Sequence, residues 1–464
     1  NGDIGRFGAL YGPMVLVNSP ELVHEVLVTR ARCFEKSPIV RGALFPLAGN
    51  GLFTSEGELW RSQRKLMAPL LNAASVSAFS RHMIECASEV ARRWRDGQTV
   101  DVAHETTSIA MSIAGRALFG MDTISETDEI GHALTVALEW TGEQATSLDF
   151  ILQIRALLNA ERWLAHVPAL LRSPLRSVAD GLKRPVLWPG RKTRALKAAL
   201  AVRDARVARL IAERRAGSEQ RKDLLALLLD ARDDNGRAMS ERQVRDEILT
   251  LFIAGHETSA SAIGWALMLL AQHPDVYRRV RAELDALGRA PAHDDLPALA
   301  LTQRVFKEAL RLYPPLWMFA RVSTVEVPVG EYLFPAGTIV IVSPYALQRR
   351  PELWPEPERF DPDRFTPELE AVRHRAAFIP FGAGPRTCIG NFFALMEGPL
   401  ALGTLLHHAD FALVHAAGSP AVANATLRAA DGIPMRVHLR RSARASRPPA
   451  ARSSVERASP APSG

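Results

Sequence analysis

The sequence predicts a mainly α-helical protein with small β-sheets. Apolar residues recur at helical spacing along most of the chain, and short strand-like runs occur only near residues 14–18, 338–343 and 424–438. A long helix is predicted from Ser240, which opens a Ser-x-x-Gln capping box, to Gln272. About thirty helical residues span roughly 45 Å, so this helix is expected to cross the whole domain.

Composition indicates one large globular domain. The chain has 464 residues, of which 47% are hydrophobic and 23% charged, so it can bury a sizeable core. Its three cysteines, Cys33, Cys86 and Cys388, are too few for a disulfide framework, which favours a reducing, cytoplasmic location. No signal peptide or spanning segment is visible. The chain opens at Asn1 without a methionine, which leaves an N-terminal lead or anchor open.

The C-terminal segment differs from the rest in composition. Residues 441–464 are rich in Ala, Ser, Pro and Arg and carry +4 of the formal net charge of +7. Such a segment has no apolar period with which to fold, so it is predicted to be a disordered tail behind a catalytic domain at 1–440. Nucleic-acid binding by the tail is a weak alternative, and no nucleic-acid partner is expected.

The N-terminal elements follow from local signals. Ser19 followed by Pro20 predicts the start of a helix. Residues 34–58, which include Gly42, Gly49 and Gly51, are predicted to form a loop. The next helix opens with Leu-Trp-Arg-Ser-Gln-Arg-Lys, in which Trp60 and Arg64 share one face.

A loop near the C-terminal end places one cysteine in a distinctive setting. Gly382 and Gly384 allow a tight turn, Arg386 supplies a cation, and Cys388 precedes an apolar stretch, Asn391–Glu397, that is predicted to be helical. The first amides of a helix favour a thiolate, which is the form that binds a metal. The loop therefore suits a charged, planar, metal-containing cofactor.

The centre of the long helix combines small and polar residues, Leu-Phe-Ile-Ala-Gly-His-Glu-Thr-Ser-Ala. His256 and Glu257 interrupt the apolar run, which excludes a transmembrane helix. Gly255 costs about 1 kcal/mol against alanine, and the Thr258 hydroxyl can compete for backbone carbonyls. A local distortion is therefore expected here.

The spacing Phe381-x-x-Gly384-x-Arg386-x-Cys388-x-Gly390 resembles the haem-binding signature of the cytochrome P450 family. The alternative is a core cysteine beside a Gly-Pro turn. The resemblance implies the cytochrome P450 fold, with the long central helix over haem b (iron protoporphyrin IX) and Cys388 as the axial ligand of its iron. The loop residues that it assigns to cofactor binding are Phe381, Gly382, Arg386 and Gly390.

The helix centre is similar to the family's oxygen-activation motif. Ala254 lies beside the haem in this comparison, and Thr258 and Glu257 are implied as catalytic residues. The Thr258 hydroxyl is expected to direct protons through bound water, and Glu257 to relay them from solvent. A threonine and a carboxylate with structural roles only are the alternative. His256 is expected to face away from the haem as a structural residue.

Three cations and an indole are implied as contacts of the haem propionates. Trp60 and Arg64 match the family's Trp-Arg-x-x-Arg pattern, and Arg321 and Arg386 occupy positions where the family places propionate-binding arginines. A solvated basic helix face is the alternative for the first two residues. Substrate-lining positions implied by the same comparison are Phe252, Leu316, Trp317, Met318, Ala425 and Thr426.

Glu308 and Arg311 resemble the family's buried Glu-x-x-Arg pair, which a second arginine completes. Two arginines are candidates, because Arg359 lies in a Pro-Glu-Arg-Phe tetrapeptide and Arg364 in Pro-Asp-Arg-Phe. Arg364 has the better register and is predicted to join the triad, whose role is structural.

The resemblance implies a haem-thiolate monooxygenase that inserts one atom of O2 into a C–H or C=C bond of a lipophilic small molecule. A fatty acid, a terpenoid or a polyketide-like compound is expected as substrate. The chain is too short for a fused reductase, so the expected electron donor is a separate ferredoxin or flavodoxin-type protein. A monomer is expected. A peroxide-driven peroxygenase and a non-catalytic gas sensor are the alternatives.

Residues 155–197 mix Leu, Trp and Pro with many cations. By order along the chain they resemble the mobile lid over the family's substrate entrance. A solvated lid is the preferred interpretation, and contact with a membrane surface or with a carrier-bound acidic substrate is the alternative.

Overall fold

The computed structural model describes residues 2–9, 12–120, 137, 140–141, 147–167, 191–216 and 223–440. The described α-helices are α1 Pro20–His24, α2 Pro38–Ala48, α3 Gly57–Met67, α4 Ala73–Val76, α5 Ser80–Arg93, α6 Val102–Phe119, α7 Leu148–His166, α8 Arg191–Ala216, α9 Leu224–Asp230, α10 Glu241–Gln272, α11 Pro274–Leu287, α12 Ala300–Leu312, α13 Pro344–Leu347, α14 Pro367–Val372 and α15 Asn391–His408.

The described strands are β1 Ile4–Ala9, β2 Gly12–Val17, β3 Phe34–Lys36, β4 Thr99–Asp101, β5 Phe319–Ser323, β6 Val327–Val329, β7 Tyr332–Phe334, β8 Ile339–Val342, β9 Ala409–Leu413, β10 Ala421–Ala423, β11 Leu427–Ala429 and β12 Pro434–Leu439. Helices dominate, as the sequence predicts. Several strands have only three residues, too few to show a period in the sequence.

The largest sheet has the order β1-β2-β8-β5-β3. Strands β2 and β8 run parallel, and the other neighbours are antiparallel. The pairing of β3 with β5 sets Lys36 directly opposite Arg321. Two cations that lie far apart in the sequence are thereby placed side by side.

Helix α10 is the long helix that the sequence predicts, and its capping box is present. The Ser240 hydroxyl accepts a hydrogen bond from the Gln243 amide at 3.3 Å, and the Gln243 side chain accepts one from the Ser240 amide at 3.2 Å. The helix packs against α6, α12 and α15, and most of its C-terminal half is buried. It therefore crosses the core, and its central residues lie inside the protein.

The prediction of a loop at 34–58 is wrong. Strand β3 and the eleven-residue helix α2 occupy much of this segment. Ser37 caps α2 by accepting a hydrogen bond from the Ile39 amide at 3.3 Å, and Pro38 occupies the first turn. Gly42 lies inside this helix, where the Phe150 ring leaves little room for a side chain. The glycine marks close packing and not a turn.

Helix α15 continues well beyond the predicted stretch Asn391–Glu397. Gly398 and Pro399 both lie inside it. A side chain at Gly398 would overlap the Phe306 ring, so the glycine permits close packing of α15 against α12.

Within the described residues, no helix has both the length and the apolar composition that crossing a membrane requires. The predicted lid lies partly outside the described residues, since 168–190 are not among them, and the predicted tail at 441–464 lies entirely outside.

Candidate functional site

The loop that carries Cys388 is shaped by two glycines. Gly382 and Gly384 have φ angles of 71° and 70°, in the region that side chains disfavour. A side chain at Gly384 would also collide with the Leu27 carbonyl. The Cys388 amide donates a hydrogen bond to the Phe381 carbonyl at 2.8 Å, which closes the loop, and α15 begins three residues after the cysteine.

The Cys388 side chain is exposed, but the surrounding protein raises the pKa of its thiol. The largest cause is desolvation by the protein atoms around the sulfur, although part of the residue is accessible to solvent. The Gly390 amide, which hydrogen-bonds to the sulfur, and the Arg64 guanidinium act in the opposite direction. The amide at the helix N-terminus therefore favours the thiolate, as the sequence predicts, but desolvation of the sulfur outweighs its effect on the pKa. A bound metal cation reverses this balance, since coordination deprotonates a thiol.

Four cationic side chains lie close to this loop, those of Lys36, Arg64, Arg321 and Arg386. Arg386 stacks on the Trp60 ring at 4.3 Å from the guanidinium carbon to the ring centroid, and it hydrogen-bonds to Glu56. The nitrogen Nη1 of Arg386 is buried and has no hydrogen-bond partner among the described residues. Arg64 approaches Cys388 closely enough for the two charges to interact. Lys36, 5.9 Å from the Trp60 ring centroid, is a member that the sequence reasoning missed.

Burial lowers the pKa values of three of these cations, Arg64, Arg321 and Lys36. Burial and then the neighbouring Arg386 lower the pKa of Arg321 to about 10. Burial lowers the pKa of Lys36 to about 7 against the attraction of Glu56. The Glu56 carboxylate forms ion pairs with Lys36 and Arg386 and interacts electrostatically with Arg321, so three cations share one carboxylate. An anionic group would complete the arrangement.

The residues therefore fit a haem. The accessible thiol of Cys388 can serve as a ligand of the haem iron. The excess of cations over carboxylates, and the unpaired buried Nη1 of Arg386, suit the two negatively charged haem propionates. Gly255 adds room, because no described atom beyond its chain neighbours and the nearby backbone of its own helix lies within 4 Å of the position that its Cβ would occupy.

The centre of α10 is partly exposed, although the helix crosses the core. Ile253, Ala254, Gly255, Glu257 and Thr258 all have accessible surface, whereas almost all residues from 259 to 270 are buried. The Thr258 hydroxyl donates a hydrogen bond to the Ala254 carbonyl at 2.6 Å. This leaves the oxygen lone pairs of Thr258 available to accept a hydrogen bond.

Glu257 is joined to the C-terminal hairpin formed by β10 and β11. Its Oε1 accepts a hydrogen bond from the Thr426 hydroxyl at 2.8 Å and lies 3.5 Å from Nε of Arg428. The sequence contains no local signal for either contact, because the residues lie far apart along the chain.

Phe252 does not line the site. Its side chain has no exposed surface and packs against Phe119 and His256, with ring centroids 6.1 and 5.7 Å apart. Residues two apart on a helix point about 200° apart, so Phe252 and Ala254 lie on opposite faces. The partly exposed apolar side chain next to Ala254 is Ile253. His256 is buried and bonds to the Phe252 carbonyl at 3.1 Å, as a structural residue would.

The other predicted substrate-lining residues lie around one turn of the hairpin. Leu316 and Met318 are 37% and 39% exposed, and Ala425 is exposed as well. The Trp317 indole donates a hydrogen bond to the Asn424 carbonyl at 2.8 Å. Thr426 differs from the prediction, because it is only 7% exposed and its hydroxyl is bonded to Glu257.

The predicted structural triad is assembled. Arg311 donates two hydrogen bonds to the Glu308 carboxylate at 2.7 and 2.8 Å, and Nε of Arg364 lies 3.6 Å from Glu308 Oε1. The Arg359 side chain instead pairs with Glu356, although its carbonyl accepts a hydrogen bond from Arg311. Arg364 is therefore the second arginine.

Comparison with known proteins extends over most of the chain. The family model described as Cytochrome P450 matches residues 1–428. Cyclooctatin synthase of Streptomyces melanosporofaciens is 36% identical over 87% of this chain and 82% of its own length. Pentalenene oxygenase of Streptomyces avermitilis is 34% identical over 83% of this chain and 79% of its own length.

Similarity extends to a human protein and to solved structures. Cytochrome P450 4V2 of Homo sapiens is 31% identical over 85% of this chain and 74% of its own length. The crystal structure of the cytochrome P450DA heme domain superposes with a TM-score of 0.79 and 27% identity, covering 95% of this chain and 90% of that chain.

Proposed function

Because the chain belongs to the cytochrome P450 family and is a haem-binding monooxygenase, we propose that its substrate is a terpenoid. The observation that carries this proposal is the similarity to cyclooctatin synthase and pentalenene oxygenase, whose names refer to terpenoids, over more than four fifths of the chain. The exposed apolar side chains of Leu316 and Met318 support it, because they can contact a lipophilic molecule.

The cofactor proposed is haem b. Cys388 would hold the iron, and Arg64, Arg321 and Arg386 with Trp60 would hold the propionates. When bound, haem supplies the centre at which O2 is activated and one oxygen atom passes to the substrate. Phe381, Gly382 and Gly390 keep the cysteine loop in its conformation, and Ala254 leaves space on the facing helix.

Proton supply is assigned to two residues of α10. The Thr258 hydroxyl, which donates to the Ala254 carbonyl, is oriented to accept a hydrogen bond from a water and to hold that water at the reacting oxygen. Glu257 is partly exposed and adjacent in the chain, so it is placed to exchange protons with solvent and pass them on. In this proposal Thr258 determines which atom receives the protons, and Glu257 supplies the protons from solvent.

Electrons are proposed to come from a separate ferredoxin or flavodoxin-type protein, and the enzyme is proposed to act as a monomer. Residues 1–440 form the catalytic domain in this proposal.

The test is a titration of the purified ferric protein with terpenoid hydrocarbons, fatty acids and polyketides, followed by turnover with a ferredoxin and its reductase. We expect a terpenoid to shift the Soret band from low spin to high spin and to yield a product that contains one added oxygen. A shift and a product from fatty acids alone would refute the terpenoid assignment and leave the enzyme class intact.

A further inference from the structure

The turn of the C-terminal hairpin is attached to α10 at several points. Beyond the contact of Thr426 with Glu257, the Leu427 carbonyl accepts hydrogen bonds from the Ser261 hydroxyl at 2.8 Å and from the Trp265 indole at 3.3 Å. These donors lie one and two turns after Glu257 on the same helix. The hairpin is therefore held along α10 whether or not Glu257 takes part.

The turn also closes without the Thr426 side chain. The Asn424 amide donates to the Thr426 carbonyl at 3.0 Å, and the Leu427 amide donates to the Pro315 carbonyl at 2.9 Å. Both bonds use backbone atoms only. The Thr426 hydroxyl therefore contributes no hydrogen bond to the turn itself, and it donates its hydrogen bond to Oε1 of Glu257.

Arg428 shows the same division between backbone and side chain. Its backbone pairs with Val422 in the hairpin, whereas its guanidinium extends to Glu257 at 3.5 Å. The Arg428 side chain is 48% exposed and the Glu257 side chain 16%. The pair therefore reaches from the interior of the protein to its surface, and both contacts converge on one oxygen of Glu257.

We propose that Thr426 and Arg428 are positioning residues that hold the Glu257 carboxylate in place for proton delivery. The inference rests on the proposed function of Glu257 as the proton relay. A hydroxyl and a guanidinium on one oxygen restrict the side-chain rotamers of Glu257 and keep its other oxygen, Oε2, available for a proton. Thr426 is consequently assigned to the relay and not to substrate recognition.

The experiment compares Thr426→Val and Arg428→Gln, each alone and combined with Glu257→Gln. In the otherwise unchanged enzyme, Thr426→Val should slow product formation about tenfold, as for a hydrogen bond to a charged group. Arg428→Gln should slow it about threefold to fivefold, as for a partly exposed ion pair. Neither change should slow the Glu257→Gln enzyme further, because residues that act through one group are not additive.

Conservative variants and a binding measurement separate positioning from folding. Thr426→Ser and Arg428→Lys should restore most of the rate, since they keep the donor. The substrate dissociation constant from the spin-state titration should change less than twofold in every variant. Arg436→Gln, which alters an exposed arginine on β12, is the matched control and should behave as the parent enzyme.

Two results would overturn the inference, and they are distinguishable. If Glu257→Gln turns over like the parent enzyme, the proposed relay fails and the inference fails with it. If Glu257→Gln is slow but Thr426→Val and Arg428→Gln are not, or if they slow the Glu257→Gln enzyme just as much, the relay stands and the positioning role is refuted.

Discussion

Arg386 stacks on the Trp60 ring and donates a hydrogen bond from Nη2 to the Glu56 carboxylate. Its Nη1 is buried and has no hydrogen-bond partner among the described residues. A buried charged N–H without an acceptor is costly. The side chain is nevertheless held in this orientation by the indole and the carboxylate. The relationship indicates a preformed place for an anionic group beside the cysteine loop.

Arginine substitutions around this place should reduce haem retention. Arg386→Ala, Arg64→Ala and Arg321→Ala each remove a cation that would face a propionate, so each should lower the haem content of the purified protein and leave the Soret position unchanged. Haem per protein can be measured by the pyridine haemochromogen assay. Arg359→Ala, which removes an exposed arginine paired with Glu356, is the control. Unchanged haem content in all three variants would contradict the contact map.

Replacement of the proposed iron ligand should change the spectrum. Cys388→Ser should abolish the red-shifted Soret band of the reduced carbon-monoxide complex, because a hydroxyl is a far weaker donor to iron at neutral pH. Cys86→Ser, at a buried cysteine in the core, should retain that band. Survival of the band in Cys388→Ser would show that another residue is the ligand.

The Thr258 hydroxyl should control where the protons go. Thr258→Ala should still bind substrate and consume reducing equivalents, but it should release much of the oxygen as hydrogen peroxide, because the directing hydroxyl is lost. Glu257→Gln should instead slow oxygen consumption overall. Product and peroxide formed per reducing equivalent separate the two cases. Parent-like coupling in Thr258→Ala would mean that the proton route lies elsewhere.

Glu397 should make stability depend on pH. Its carboxyl is buried against Ser259, and burial raises its pKa from 4.5 to about 8. The folded state thus binds this proton more tightly than the unfolded state. The stabilisation is complete below pH 4.5 and is lost as the pH rises toward 8, by up to about 1.4 kcal/mol per pH unit.

Glu397→Gln keeps the shape of the side chain and removes its titration. The difference in apparent melting temperature between the parent enzyme and Glu397→Gln should therefore shift in favour of the variant as the pH is raised from 5 to 8. A constant difference across this range would argue against a raised pKa at Glu397.

The buried pair Glu308–Arg311 should matter far more than an exposed pair of identical spacing. Glu308→Gln leaves the buried Arg311 charge without its partner and should cost about 3–5 kcal/mol of stability. Glu58→Gln breaks the exposed i,i+3 pair with Arg61 and should have no measurable effect. Denaturant unfolding of both variants tests this. Equal losses would show that burial does not decide the energy.

The sequence by itself determined the features that depend on neighbouring residues. The capping box at Ser240 and Gln243 needs only three residues of helix, and the Cys388 loop needs only its glycines and the spacing around them. Both were predictable because their geometry is local. The choice of Arg364 over Arg359 also followed from spacing within one short segment.

Tertiary structure decided everything that depends on how distant segments meet. Which face of α10 is buried, and hence that Phe252 is enclosed while Ala254 and Thr258 keep accessible surface, follows from the docking of the helix. The pairing of β3 with β5 brings Lys36 beside Arg321. Phe150 packs against helix α2 at Gly42, where it leaves little room for a side chain. Burial raises the pKa of Cys388, although the amide at the start of the helix lowers it. Desolvation and packing are sums over the whole fold, so no local pattern encodes them.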